Sequence, residues 1–216
     1  MCSVCANLDM LMDVTIADAL KVLRDRAAAG RIIVALAGPP GAGKSTLASE
    51  LAKGLGADGV SARVVPMDGF HLDDAVLDEM GWHARKGAPH TYDVDGLKTL
   101  LERLRREKAG EIYYPVFDRT TEIAHAAAAR VSPDDRVVIV EGNYLLLDAP
   151  GWNDIARLFD VTIMVSAPIG ELERRLLGRW ADLAPDAARA KVEGNDLVNA
   201  RLVISKSLGA DMTISA

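Results

Sequence analysis

The segment that begins at Gly38 carries the clearest chemistry in the sequence. It reads Gly-Pro-Pro-Gly-Ala-Gly-Lys-Ser-Thr and matches G-x-x-x-x-G-K-[ST] at every fixed position. Glycines at this spacing let backbone N–H groups face a phosphate, and a helix beginning behind them adds the positive end of its dipole. Lys44 can reach the β- and γ-phosphates, Ser45 can bind Mg²⁺, and Thr46 can contact the α-phosphate. This pattern predicts binding of ATP or GTP by Gly38, Pro39, Pro40, Gly41, Ala42, Gly43, Lys44, Ser45 and Thr46.

Two carboxylates follow apolar segments that are typical of buried strands. Asp68 comes directly after residues 64–67, and Glu141 comes directly after residues 137–140. In an α/β fold the carboxyl ends of parallel strands face the ligand, so both side chains should lie near the phosphates. Asp68 is then a candidate base for an attacking hydroxyl group, and Glu141 joins Ser45 as a candidate Mg²⁺ ligand. A turn aspartate and an ordinary polar residue at a strand end are the alternative interpretations.

Arginines recur at helical spacing later in the chain. Arg175 and Arg179 are four residues apart, which places them on one face of a helix. Two fixed guanidinium groups can close over a transferring phosphoryl group and neutralise its charge. A solvated amphipathic helix is the alternative interpretation of the same pattern.

Aromatic, basic and acidic side chains lie close together in a segment punctuated by glycine and proline. Ring stacking and hydrogen bonding would suit a polyol acceptor, whereas the basic members would suit an acidic or phosphorylated one, and a solvated surface loop is the alternative. His71 either orients Asp68 or is a structural histidine. Three residues near the end of the chain, Asn195, Asp196 and Asn199, can contact adenine or cap the last helix. The candidate acceptor residues are Trp82, His83, Arg85, Lys86, His90, Tyr92, Asp93 and, further along, Arg119.

Alternating apolar and amphipathic segments must position these groups. Apolar runs predict buried strands at 32–37, 61–67, 136–140 and 161–165. Residues 112–117 and 122–131 look extended and predict a two-stranded excursion. The alternation is typical of an α/β fold with a parallel sheet. Helices are predicted from Leu8 to about Gly30, over 44–55, around 97–104 with Asp93 or Asp95 as N-cap, over 171–180 and over 187–208.

The composition limits the class of protein. The chain has 216 residues, 50% of them hydrophobic and 26% charged, with a net charge of −6. These values predict one globular domain and argue against global disorder and against general binding to nucleic acid. No run of 18 apolar residues and no signal-peptide pattern occurs, so we expect a cytoplasmic protein without membrane insertion. Cys2 and Cys5 are interpreted as part of a terminal tail, with a redox pair or half of a zinc site as the alternatives.

Taken together, the motifs resemble the uridine kinase, phosphoribulokinase and pantothenate kinase group of P-loop kinases. The similarity spans about residues 31–179 and rests on five segments in a fixed order, 38–46, 67–70, 89–93, 114–118 and 140–143. The resemblance implies a three-layer α/β sandwich with a mainly parallel five-stranded sheet. It implies Mg²⁺-ATP as donor, a small hydroxyl compound as acceptor and, often, a homo-oligomer. We therefore expect a single kinase domain over 1–216, with an acceptor-binding region at about 68–131 and an arginine-bearing helical lid at about 170–185.

The same resemblance assigns roles residue by residue. Asp68 matches the catalytic aspartate of the group, and Glu141 matches its metal-associated acid. Arg175 and Arg179 match the lid arginines that, with Lys44, act on the transferring phosphoryl group. The remaining matches concern the acceptor.

Two acceptor positions are implied by the resemblance, and one departure limits it. Asp93 matches a carboxylate that binds acceptor hydroxyl groups in nucleoside kinases, and Phe117 stands where uridine kinases carry a stacking tyrosine. Uridine kinases carry a histidine just beyond that aromatic residue, but this chain continues Arg119-Thr-Thr-Glu-Ile-Ala and has its next histidine at 125. Segments 81–90 and 194–200 instead resemble pantothenate kinase and a bacterial subgroup named fructose transport system kinases.

These resemblances lead to one expected acceptor and several alternatives. We expect a fructose-type sugar linked to transport, with uridine, cytidine or pantothenate as alternative acceptors. A nucleotide-binding regulator without a phosphoryl acceptor is the alternative from another class.

Overall fold

Seven strands form two separate sheets in the computed structural model, which describes residues 13–216. Five parallel strands form the central sheet in the order β2-β5-β1-β6-β7, and β3 and β4 form an antiparallel hairpin. In chain order, β1 to β7 are Ile32–Ala37, Ala62–Pro66, Ile112–Asp118, Ile123–Val131, Val137–Gly142, Val161–Ser166 and Met212–Ser215.

Helices cover both faces of the central sheet. In chain order, α1 to α8 are Ile16–Ala27, Lys44–Ala57, Asp74–Glu79, Val94–Arg106, Trp152–Ala156, Ile169–Arg179, Pro185–Lys191 and Leu197–Lys206. On one face, α1, α2 and α6 contribute Leu23, Leu51 and Leu172 to a buried core. On the other face, α4 and α5 contribute Leu101 and Trp152. The three-layer α/β sandwich with a parallel five-stranded sheet is therefore confirmed.

The burial of the strands explains why four of the five were visible in the sequence. Every residue of β1 and β5 is buried, as expected for inner strands of a parallel sheet that is covered on both faces. The fifth strand, β7, has only alternate buried residues and reads Met-Thr-Ile-Ser. Four half-polar residues at the edge of the sheet give too short a pattern to predict a strand, so the apolar runs missed it.

Two predicted helices differ from the observed ones in informative ways. The first helix begins at Ile16, because the Thr15 side chain accepts the N–H of Asp18 and Asp18 returns the bond in a capping box. Leu8 and Leu11, like Cys2 and Cys5, lie outside the described residues. The helix predicted over 187–208 is interrupted by a π-turn at Val192–Asp196 between α7 and α8. Along the described part of the chain, no helix combines the length and the apolar character needed to span a bilayer.

Candidate active site

The loop between β1 and α2 has the backbone that a phosphate site requires. Gly41 and Gly43 have φ of 83° and 89°, in the left-handed region that a residue with a Cβ avoids. Gly43 is the N-cap of α2 and makes no side-chain capping bond. The first N–H groups of the helix therefore remain available for an anion, and the loop residues fit a nucleotide phosphate chain.

Lys44 is held at the centre of this loop. The residue is only 7% exposed, and its Nζ donates to Pro39 O at 3.0 Å and to Asn143 Oδ1 at 2.7 Å. Burial lowers the pKa of Lys44 to about 8, while the nearby carboxylate of Glu141 acts in the opposite direction. A bound phosphate would favour the charged ammonium, so the site is arranged for an anion.

Glu141 and Ser45 meet beside Lys44. Ser45 Oγ donates to Glu141 Oε1 at 3.1 Å, and Glu141 is 8% exposed. Burial raises the pKa of Glu141, and the charge of Lys44 opposes that rise. A hydroxyl and a carboxylate are hard oxygen donors that suit Mg²⁺, which usually takes few protein ligands and completes its shell with water and phosphate. Within residues 13–216 no group of three His, Cys, Asp or Glu side chains forms a metal site, which agrees with such sparse ligation.

Asp68 lies in a 3-10 turn, Met67–Phe70, that directly follows β2. The turn can approach the end of β5 because Gly142 has no side chain, and a Cβ there would lie 2.5 Å from the Cβ of Met67. Arg119 Nη2 lies 2.7 Å from Asp68 Oδ2, and the Tyr92 hydroxyl lies 3.5 Å from Oδ1. The turn therefore brings the carboxylate to the same end of the sheet as Glu141.

The His71 side chain lies closer to the backbone of this turn than to the carboxylate of Asp68. Its Nδ1 lies 2.8 Å from the carbonyl oxygen of Asp68 and 4.0 Å from Oδ1. Burial lowers the pKa of His71, which favours the neutral imidazole at pH 7. The ring also packs against Tyr92 and Phe117, with centroids 4.2 and 4.7 Å away.

One cavity of about 390 Å³ joins these groups. Its phosphate end is lined by the loop from Pro40 to Thr46 together with Glu141 and Asn143, and Arg179 borders it. Asp68 also lines this cavity, where the phosphate end meets a second part that we call the acceptor end. That end is lined by His71, Lys86, Tyr92, Phe117, Arg119 and Glu122.

Five residues predicted as acceptor candidates do not line this cavity, namely Trp82, His83, Arg85, His90 and Asp93. Asp93 is exposed, and its Oδ1 accepts the N–H of Gly96 at 2.8 Å as the N-cap of α4. Arg85 donates to the carbonyl of Gly194 at 2.7 Å and to Asn199 Oδ1 at 3.3 Å. The structure thus uses Asp93 to begin a helix and Arg85 to tie the acceptor segment to the π-turn.

The two lid arginines have different surroundings. Arg175 Nε donates to Glu171 Oε1 at 2.6 Å, and its Nη1 lies 3.4 Å from the carbonyl of Gly41, so it rests against the phosphate loop outside the cavity lining. Arg179 lines the cavity at the end of α6. The next residue, Trp180, donates its Nε1–H to Asp196 at 2.7 Å. Asp196 therefore anchors the end of α6 and caps no helix through its side chain.

Several cavity residues were missed or left without a role in the sequence analysis. Asn143 accepts a hydrogen bond from the Lys44 ammonium. Its position directly after the Val-Glu-Gly segment could have indicated that it belongs to the site. Lys86 is not free to bind an acidic acceptor, because its Nζ lies 2.7 Å from Asp74 Oδ1 and 3.1 Å from Glu122 Oε2. Contacts between residues so far apart in the chain leave no local pattern.

Comparisons with known proteins agree with this geometry. The chain matches the profile of the Phosphoribulokinase / Uridine kinase family over residues 33–177. A candidate fructose transport system kinase from Silicibacter sp. TM1040 has a crystal structure that is 48% identical, with a TM-score of 0.87 over 93% of this chain and 98% of that chain. A candidate uridine kinase of Schizosaccharomyces pombe is 31% identical over 196 residues, 85% of this chain and 83% of the relative. The pantothenate kinase of Enterococcus faecalis is 30% identical over 158 residues, 72% of this chain and 51% of that protein.

The family match covers more than half of the chain and includes the phosphate loop, Asp68 and Glu141. The relatives also extend over most of the described fold. By this match and this cavity, the chain belongs to the phosphoribulokinase / uridine kinase family and is an ATP-dependent small-molecule kinase.

Proposed function

We propose that this kinase transfers the γ-phosphoryl group of ATP to a hydroxyl group of a small sugar of the fructose type, linked to sugar transport. The observation that carries the proposal is the position of Asp68, whose carboxylate shares one cavity with Lys44, Ser45 and Glu141. A base beside a phosphate-binding loop is the arrangement that phosphoryl transfer to an alcohol needs.

Each residue of the phosphate end has a distinct task in this proposal. The backbone N–H groups of Gly41 and of residues 43–46 bind the phosphates, and the Lys44 ammonium neutralises negative charge on them. Ser45 and Glu141 would hold Mg²⁺, which would offset negative charge on the phosphates. The catalytic effect is mostly positioning plus electrostatics, so no covalent enzyme intermediate is required.

At the other end, Asp68 accepts the proton of the attacking hydroxyl group. Arg179 is placed to stabilise charge on the transferring phosphoryl group, and Arg175 supports the loop from outside the cavity and would approach it if the lid closes. We propose that α6 and the residues after it, about 170–185, form this lid. Residues of about 68–131 supply the acceptor end within a single domain.

The charges of the acceptor end support a neutral, hydroxyl-rich acceptor. The Lys86 ammonium is already shared by the carboxylates of Asp74 and Glu122, and Arg119 is paired with Asp68. Since each cation has a carboxylate partner, this end offers hydrogen bonds more readily than an uncompensated positive charge. The name of the Silicibacter relative, at 48% identity, further supports a fructose-type sugar.

Alternative acceptors have less support from the side chains. A pyrimidine would need to stack on Phe117, but that ring already contacts His71, and Lys86 Nζ lies 5.2 Å from its centroid. Pantothenate carries a carboxylate, whereas the Lys86 ammonium at this end is already shared by two carboxylates of the protein. Family membership favours a kinase over a regulator without an acceptor.

A substrate panel tests the proposal. Release of ADP from Mg²⁺-ATP would be measured with D-fructose, other ketoses and aldoses, uridine, cytidine and pantothenate. We expect the highest kcat/KM with a fructose-type sugar, and added stability from that sugar in thermal melts with a non-hydrolysable ATP analogue. Stimulation by uridine, cytidine or pantothenate and by no sugar would refute the sugar assignment, whereas stimulation by none of these compounds would favour the regulator.

A further inference from the structure

The acceptor end contains one contact that the proposed transfer does not use. Arg119 Nη2 occupies Oδ2 of Asp68 at 2.7 Å. The other oxygen, Oδ1, has the Tyr92 hydroxyl at 3.5 Å and His71 Nδ1 at 4.0 Å. Oδ2 of the proposed base is therefore paired with a cation, whereas Oδ1 has only these two longer contacts.

The hairpin between β3 and β4 fixes the position of Arg119. The N–H of Thr120 donates to Asp118 Oδ1 at 2.8 Å, which closes the turn next to the arginine. Lys86 Nζ then holds the far side of the turn, through the carbonyl oxygen of Glu122 at 3.0 Å and Glu122 Oε2 at 3.1 Å. The hairpin turn, which Lys86 holds in place, thus positions the guanidinium of Arg119 beside Asp68.

The contact is also easy to exchange. The side chain of Arg119 is 62% exposed and that of Asp68 is 24% exposed. An ion pair in such contact with solvent contributes little to stability, so a ligand with several hydrogen-bonding groups can replace it. A polyol offers several hydroxyl groups at fixed spacing, whereas a water molecule offers one oxygen.

We infer that Arg119 is a specificity-determining residue that keeps water from serving as the phosphoryl acceptor. The inference rests on the proposed function, because it takes Asp68 as the base. With Arg119 on Oδ2, a water molecule in the cavity has to compete with the guanidinium for that oxygen. An acceptor sugar binds the guanidinium with its own hydroxyl groups, and its attacking hydroxyl takes the place of Arg119 beside the carboxylate.

Loss of the contact would open a hydrolytic reaction. Asp68 then accepts a proton from water while the water oxygen forms a bond to the γ-phosphorus. The bond between that phosphorus and the bridging oxygen of the β-phosphate breaks, and ADP and inorganic phosphate leave. The products are those of ATP hydrolysis, and the proton on Asp68 returns to solvent.

The test measures release of inorganic phosphate from Mg²⁺-ATP with no acceptor present. We expect Arg119→Ala, and independently Arg119→Gln, to raise this rate about tenfold, a small part of the effect that a positioned base can have. Adding Asp68→Asn to Arg119→Ala should return the rate to the wild-type level or below. Arg130→Ala is the matched control, because Arg130 lies on the same hairpin, is also 62% exposed and pairs with Glu111 at 3.7 Å, so its rate should not change.

The outcomes separate this inference from the proposed function. Hydrolysis by both Arg119 variants at the wild-type rate or slower would overturn the inference, while leaving sugar phosphorylation untouched. A raised rate that persists in the double variant would also overturn it, because water would then be activated by another group. In contrast, full sugar-dependent turnover by Asp68→Asn alone would overturn the base assignment on which the proposed function depends.

Discussion

The two ends of the cavity are built in different ways. The phosphate end consists of loop backbone and buried side chains, with Lys44 and Glu141 each less than 10% exposed. The acceptor end consists of turns and a hairpin joined by ion pairs, several of them open to solvent, such as the pair between Arg119 and Asp68. One end is set before a ligand arrives, and the other is held by contacts that a ligand can exchange.

The difference between the two ends shows where the protein meets the two requirements of a kinase, which are binding of phosphate and recognition of the acceptor. Binding of phosphate needs fixed dipoles and charges in a site shielded from water, because preorganised groups need not rearrange during transfer. Recognition of the acceptor needs groups that release their partners when the correct compound binds. The sharpest tests therefore change one end and measure the other.

The largest effect is expected at the phosphate end. Lys44→Ala removes the buried ammonium at the centre of the phosphate loop, and we expect kcat/KM for ATP to fall by about 10³-fold or more, because Arg179 lies at the border of the cavity and does not replace that charge. Lys53→Ala, on the exposed side of the same helix, is the control and should stay within twofold. Steady-state ADP release measures kcat/KM of both variants. A loss of less than tenfold in Lys44→Ala would contradict the view that the phosphate end depends on fixed, buried charge.

Asp68→Asn should affect chemistry and spare ATP binding. We expect kcat to fall by about 10²-fold, since the amide cannot accept the hydroxyl proton, while the Kd of an ATP analogue stays within about threefold. Asp95→Asn, an exposed change in the first turn of α4, is the control. Turnover within threefold of wild type in Asp68→Asn would show that the acceptor end holds no base at this position.

The pH dependence of ATP binding above pH 7 tests the protonation of Lys44. Because burial lowers its pKa to about 8, the free protein loses the ammonium as the pH rises through that value. We expect the Kd of an ATP analogue to rise about tenfold between pH 7 and pH 9, with full affinity below the pKa. Lys44→Met should bind weakly and with no such rise in Kd. A wild-type Kd that is flat over this range would contradict the buried, titrating ammonium.

The smallest effect is expected at Asp93, which the structure moves out of the acceptor end. Asp93→Ala should lower stability by about 1 kcal/mol through loss of the N-cap of α4, measured by urea unfolding. Asp93→Ser keeps a capping oxygen and should restore stability, with the acceptor KM within twofold of wild type. If Asp93→Ser instead raised that KM tenfold, Asp93 would belong to the acceptor site after all.

The phosphate end could be predicted from residues that are neighbours in the sequence. Residues 38–46 are contiguous, and the glycines, the lysine and the helix start that follow them carry all the information needed to form the loop. Likewise, β1 and β5 are buried on both faces and appear as unbroken apolar runs. The half-buried strands β2 and β6 could also be predicted from their apolar residues, and the short edge strand β7 could not.

The acceptor end could be predicted only as a set of candidates. The types of Tyr92, Phe117 and Arg119 suggested a ligand site, and the structure places all three on the cavity. The same reasoning included Asp93, whose carboxylate serves as a helix cap, and Arg85, which binds the π-turn. A polar residue type has several uses, and the sequence alone does not choose among them.

The sequence by itself thus determined the phosphate loop, the buried strands β1 and β5, and the placement of Asp68 and Glu141 at or just after the ends of β2 and β5, because each depends on neighbours in the chain. Tertiary structure decided that Asp68 meets Arg119, that Lys86 is shared by Asp74 and Glu122, and that Asn143 accepts a hydrogen bond from Lys44. Those contacts join residues separated by about 12 to 100 positions, and only the tertiary packing of loops, hairpin and strand ends brings such residues within hydrogen-bonding distance.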